Sequence, residues 1–175
     1  MKKIKSDHYY YATIIGLFVL LKQYYTTTSN GDLKFLLSPT NALVSWLFGS
    51  SPVYSATSGY IYDNLNITIE KSCSGYNFWI LCFAMLAFLT VTSYKTHFRK
   101  IAGIVVLLVL SWLLTIFVNT SRIATAIFIS EHFPNSSKHF PWLHQSEGIF
   151  IYLSFLIAFY MILNQILTKI KTTNA

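Results

Sequence analysis

Charge is scarce in this chain. Asp, Glu, Lys and Arg make up 11% of the residues, against about 25% in an ordinary soluble domain. With 54% of its 175 residues hydrophobic, a soluble fold would have more apolar surface than it could bury, so a membrane protein is expected. Cysteine is nearly absent: Cys73 and Cys82 make no CxxC pair and no disulfide framework. No haem, nucleotide or flavin signature occurs, and no cofactor is expected. The start Lys2-Lys3-Ile4-Lys5 resembles a charged leader, but no small-residue cleavage site follows its apolar run, which reads as an uncleaved first span. Internal repeats and low-complexity tracts are missing.

What is there is a series of uncharged runs. Crossing the hydrocarbon core takes about 18 or more apolar residues as helix. Residues 72–94, 101–121 and 148–168 meet this without a charge. A fourth run, 9–21, reaches Tyr25 if Lys22 snorkels to the interface, and tyrosines at both its ends fit an interfacial belt. The stretch 35–62 is also uncharged but is interrupted by Pro39, Gly49, Pro52 and Gly59. Within it, 36–48 reads as a short helix lying in the interface or dipping into the membrane, with a fifth crossing as the alternative. Residues 60–69 alternate and read as a short extended piece leading to Cys73. The expected fold is all-α: one polytopic domain over 1–175 with four to five transmembrane helices, near 9–25, 75–94, 101–121 and 148–168, plus a short interfacial or re-entrant helix.

The net charge of +7 has a topological reading. Its excess falls on Lys2, Lys3 and Lys5, offset by Asp7, on Lys95, Arg99 and Lys100, and on Lys169 and Lys171. With four spans these segments share one side, and the two intervening regions are balanced. The positive-inside rule then places both termini in the cytoplasm. The basic balance is explained without a nucleic-acid partner. Cys73, Asn119, Arg122 and His144 all arrive at the outer face.

Cys73 lies in Glu-Lys-Ser-Cys-Ser-Gly, residues 70–75, at the mouth of a span. A thiol at a helix N-terminus favours thiolate, and small neighbours leave room for a substrate backbone. The competing reading is a small apolar residue in a helix contact, which suits Cys82 better. Arg122 follows an apolar run. An ionisable group at that depth suggests function, against the alternative of snorkelling to lipid phosphate. Asn119, three residues earlier, shares its helix face. A fixed cation lowers a nearby thiol's pKa or stabilises an oxyanion. His144 is a candidate general acid/base, with Glu147 placed to orient it. His132, His139 and His144 have spacings that match no metal motif, and no metal is expected. His97 falls on the inner loop. The sequons at Asn66, Asn119 and Asn135 are short patterns that recur by chance.

This order of residues resembles the exosortase/archaeosortase family, over roughly 72–152: Cys73-Ser74-Gly75 opening one span, Asn119-x-x-Arg122 at the outer end of the next, and His144 before the last. It looks most like the short exosortase K type, with Ser72 where many members have Ala, and Tyr76 and Asn77 after the glycine. The resemblance implies a cysteine transpeptidase, with Cys73 as nucleophile, Arg122 as essential arginine and His144 as third member. Asn119, Ser74 and Gly75 match the flanking motif positions. It implies substrates that carry a C-terminal sorting signal: a short motif, a hydrophobic helix and a basic tail. The expected location is the cytoplasmic (inner) membrane of a prokaryote, with the site on the outer face and the lipid bilayer as a partner. The alternative is a non-catalytic membrane scaffold, in which Cys73 packs and Arg122 and His144 bind head groups or brace loops. A transporter is disfavoured because the polar groups gather at one face rather than at the midplane.

Overall fold

A computed structural model describes residues 2–94, 96–132 and 141–173; within these, the side chains of 2–7, 141–145, 147 and 171–173 lie outside the description. The elements in order are α1 (Lys2–Thr27), α2 (Lys34–Phe48), β1 (Val53–Ser55), β2 (Gly59–Tyr62), β3 (Ile67–Ile69), a 3-10 turn (Lys71–Cys73), α3 (Tyr76–Ser93), α4 (His97–His132) and α5 (Pro141–Thr173). The protein is mainly helical. The all-α expectation needs one correction: the stretch after α2 forms a three-stranded antiparallel sheet in the order β1-β2-β3. β2 and β3 fall largely in the stretch 60–69, expected to be extended; strands of three or four residues are too short for alternation to announce their pairing into a sheet.

Among the described residues, three helical segments are long and apolar enough to cross a membrane: Lys71–Ser93, His97–His132 and Gly148–Ile170. The expected span near 9–25 falls in α1, whose 26 residues have the length but leave it outside that set. The segment 36–48 is helical, as α2. At 15 residues it reaches about 22 Å, short of a hydrocarbon core of about 30 Å. Pro39 sits inside it without ending it; the helix stops at Gly49, whose N–H bonds back to the Ser45 carbonyl.

The chain forms two compact units. The first comprises Met1–Thr27, Asn77–Leu113 and Phe155–Ala175. Its core packs Ile14 against Phe83, Ala84, Ala87 and Val91, flanked by Tyr10, Tyr11, Phe18, Phe88 and Ile104. Ala84 and Ala87 are small, which lets helices approach closely where no water drives them together. Lys22, expected to snorkel, donates to Asn77 Oδ1 at 2.7 Å. Asn77, one of the residues that departs from the family motif, thus has a structural partner.

The second unit comprises Thr28–Tyr76 and Leu114–Ser154. Here α2 and the sheet are joined by Tyr62, which is fully buried. Its hydroxyl donates to Asn41 Oδ1 at 2.8 Å and shares a 2.7 Å bond with Ser45 Oγ. Burial pushes the Tyr62 phenol pKa up, and the Ser45 bond only partly opposes this.

Candidate active site

The second unit contains Cys73, Asn119 and Arg122. Cys73 closes the 3-10 turn, with its N–H bonded to the Glu70 carbonyl at 2.8 Å. It therefore precedes α3 rather than occupying its first turn. Ser74 serves as the cap: its Oγ accepts the Tyr76 N–H at 3.3 Å. Gly75 turns the chain at φ +71°, a conformation that side chains disfavour. A Cβ there would also press within 3.2 Å of Asn119 and 3.0 Å of Thr115. The small residues after Cys73 are thus needed for the turn and for close approach to α4.

The turn is fixed from two directions. From α4, Asn119 Nδ2 donates to the Cys73 carbonyl, and Asn119 Oδ1 accepts from Tyr152 Oη of α5 at 2.7 Å. Asn119 is completely buried, so both bonds form away from competing water. From the loop after α1, buried Asn30 accepts the Lys71 N–H at 2.6 Å and donates to the Thr57 carbonyl at 2.8 Å. Lys71 Nζ reaches the Thr28 carbonyl at 2.7 Å. In the same loop, the backbone N–H of Ser29 and then its hydroxyl donate to Asp32, each at 2.8 Å, and hold its carboxyl below the usual range.

The Asn119 and Asn30 bonds hold the main chain at Cys73 and Lys71 and leave Cys73 half-exposed. Ser72 Oγ lies 3.7 Å from the sulfur. Cys73 borders a cavity of about 190 Å³, together with Ile67, Thr68 and Ile69 of β3 and Arg122, Ile123, Ala126 and Ile127 of α4. The Arg122 guanidinium lies 5.5 Å from the centre of the Tyr152 ring. A Cβ at Gly148 would collide with Arg122 Nε, so α5 leaves a place for this cation at Gly148. Arg122 Nε is buried and has no hydrogen-bond partner among the described residues. A buried donor of this kind is costly unless a ligand meets it.

The structure therefore brings Cys73, Asn119 and Arg122 together. His144 and Glu147 lie on α5, but their side chains are outside the description, as is His139 entirely. His132 bonds to the Phe128 carbonyl at 3.0 Å and stacks on its ring. His97 belongs to the first unit, where it bonds to Tyr10 Oη at 2.9 Å. Cys82 is fully buried, also in the first unit. Sequence reasoning missed Asn30, Gly148 and Tyr152. Each acts through a partner distant in the chain, and none belongs to a short motif.

A family model described as "Transmembrane exosortase" matches residues 9–162. No curated protein and no solved structure matches the chain.

Proposed function

The chain belongs to the transmembrane exosortase family, and on that premise we propose that it is a membrane-embedded cysteine peptidase and transpeptidase. The observation that carries the reading is that Cys73 and Arg122 border one cavity while the Cys73 main chain is clasped by Asn119. Cys73 thiolate attacks a substrate carbonyl carbon. The C–S bond forms, the carbonyl oxygen gains negative charge, and Arg122 stabilises that charge or the thiolate before it. Collapse breaks the C–N bond, and the leaving amine takes a proton from His144, which Glu147 orients. The thioester is then resolved by water, giving hydrolysis, or by an amine or lipid-linked nucleophile, giving transfer, with His144 accepting the proton. The roles of His144 and Glu147 rest on the family resemblance and on their place on α5.

The substrates are membrane-anchored proteins with a C-terminal hydrophobic helix and basic tail, met at the outer face of the cytoplasmic membrane. Both termini of the enzyme are cytoplasmic, as its charge distribution favours. The test is C-terminal proteomics of the envelope, comparing wild type with Cys73→Ala at matched levels. Proteins with such tails should accumulate uncleaved only in the variant. If no C-terminus changes while both forms are present and folded, the scaffold reading takes its place.

A further inference from the structure

We propose that β3 is a docking strand: an extended segment of the substrate pairs with its free edge and is thereby delivered to Cys73. The inference rests on the peptidase reading and adds the conformation in which substrate is bound.

The strand order leaves β3 at one edge of the sheet, paired only with β2 among the described residues. An edge strand presents backbone N–H and C=O groups that template pairing with another chain. The cavity beside Cys73 touches Ile67, Thr68 and Ile69, three residues in a row. Successive strand side chains point to opposite faces. A cavity that meets three in succession therefore runs along the strand's edge rather than over one face. Its other wall is α4, apolar at Ile123, Ala126 and Ile127 and cationic at Arg122. The strand leads within four residues into Cys73, so a chain laid along β3 is already aligned with the thiol.

Backbone pairing decides what can enter. The cavity, about 190 Å³, has a strand edge as one wall. A helix satisfies its backbone groups internally and has nothing to offer that edge, whereas an extended backbone does. Strand addition draws affinity from main-chain hydrogen bonds and specificity from alternate side chains. Arg122 Nε, without a hydrogen-bond partner among the described residues, is a further donor for a carbonyl on the side away from β3. The isoleucines on both walls suit small or apolar substrate side chains.

The test places a diazirine-bearing amino acid at Thr68, which is exposed, in the full-length Cys73→Ala chain in its native membrane. A second chain carries the label at Ile67, should the first label block the cavity. A control carries it at Val53, on the opposite edge of the same sheet. Cross-linked residues are mapped by mass spectrometry. The expected result is cross-linking to the stretch just before the C-terminal hydrophobic helix of an envelope protein. It should be at least ~10-fold above the Val53 control, with the substrate position moving by one residue between the Thr68 and Ile67 labels. Cross-links to the hydrophobic helix itself, to lipid, or to a second copy of this chain would overturn strand addition. So would equal labelling from Val53, or none from either β3 position. Envelope C-terminal proteomics of the unlabelled strains separates the two readings. Cys73-dependent C-termini without the β3 cross-link remove strand addition and keep the peptidase; the absence of both removes both.

Discussion

The two cysteines lie nine residues apart and belong to different units. Cys82, in the first unit, is fully buried among apolar helix contacts. Cys73, in the second, is half-exposed on a cavity with a cation beside it. The units differ in the same way as their thiols. The first has the larger cavity, about 580 Å³, bordered by residues such as Phe18, Leu81, Met85 and Phe88, with Thr92 and Tyr160 its most polar members. The second has the smaller one, with the thiol, a guanidinium and a strand edge. Volume alone would favour the first unit. The proposed chemistry falls instead in the second, where polar side chains hold the backbone and leave a thiol half-exposed.

That contrast can be broken outright. Cys73→Ala should reduce processing of tail-bearing envelope proteins by at least about 10³-fold, as loss of a covalent nucleophile does. Cys82→Ala should leave processing within about twofold while lowering thermal stability, since it trims a packed side chain. Quantitative C-terminal proteomics and a melting curve read the two effects. The reverse pattern would move the active centre to the first unit.

The cation offers the next test. Arg122→Lys keeps the charge but loses Nε and the planar fork. Processing should fall about 100-fold, the scale of losing one oxyanion donor, with expression unchanged. Gly148→Ala approaches the same group indirectly by pushing the guanidinium aside. A loss of roughly 10-fold is expected, and Gly148→Ser should lose at least as much. Activity equal to wild type in Gly148→Ala would mean that the position of Arg122 is not critical.

Smaller effects sharpen the comparison within the second unit. Asn30→Ala removes two bonds that tie the loop after α1 to the turn and the sheet. It should destabilise the protein by about 1–3 kcal/mol, seen as a lower melting temperature. Asp32 supplies the smallest effect. Its folded pKa lies below the ordinary value because Ser29 donates to the ionised form. Its stabilisation is therefore present above the unfolded pKa and is lost as pH falls through the folded one. The difference in melting temperature between wild type and Asp32→Asn should be visible at pH 7 and should vanish in strong acid. A difference that grew in acid would contradict the bonding.

Much of the helical frame could be read from hydropathy. The runs 72–94, 101–121 and 148–168 fall within α3, α4 and α5 and their approaches, because continuous apolarity is a local signal. The end of α4 was less legible. The charge at Arg122 marks the end of an uncharged run, yet the helix continues to His132, since one partly buried arginine interrupts a hydropathy window without disturbing backbone hydrogen bonds. Cys73, Asn119 and Arg122 could be picked out because each is an unusual residue beside an apolar span. Their supports could not. Gly148 is an ordinary helix residue until a guanidinium is seen to need its space. Tyr152 is one aromatic among many, and Asn30 lies in a polar loop like any other. The extended character of 60–69 was legible in its alternation, but the pairing of the sheet was not, because register depends on partners and not on three-residue patterns.

Asn119 holds Cys73 by its main-chain oxygen, which every amino acid possesses. The identity of residue 73 is thus separate from the shape of the turn that carries it. Under the proposed function, an inert variant would keep the same receptor for its target, emptied only of its warhead, and what would ordinarily be a dead control would become a bait able to retain the proteins it could no longer cut.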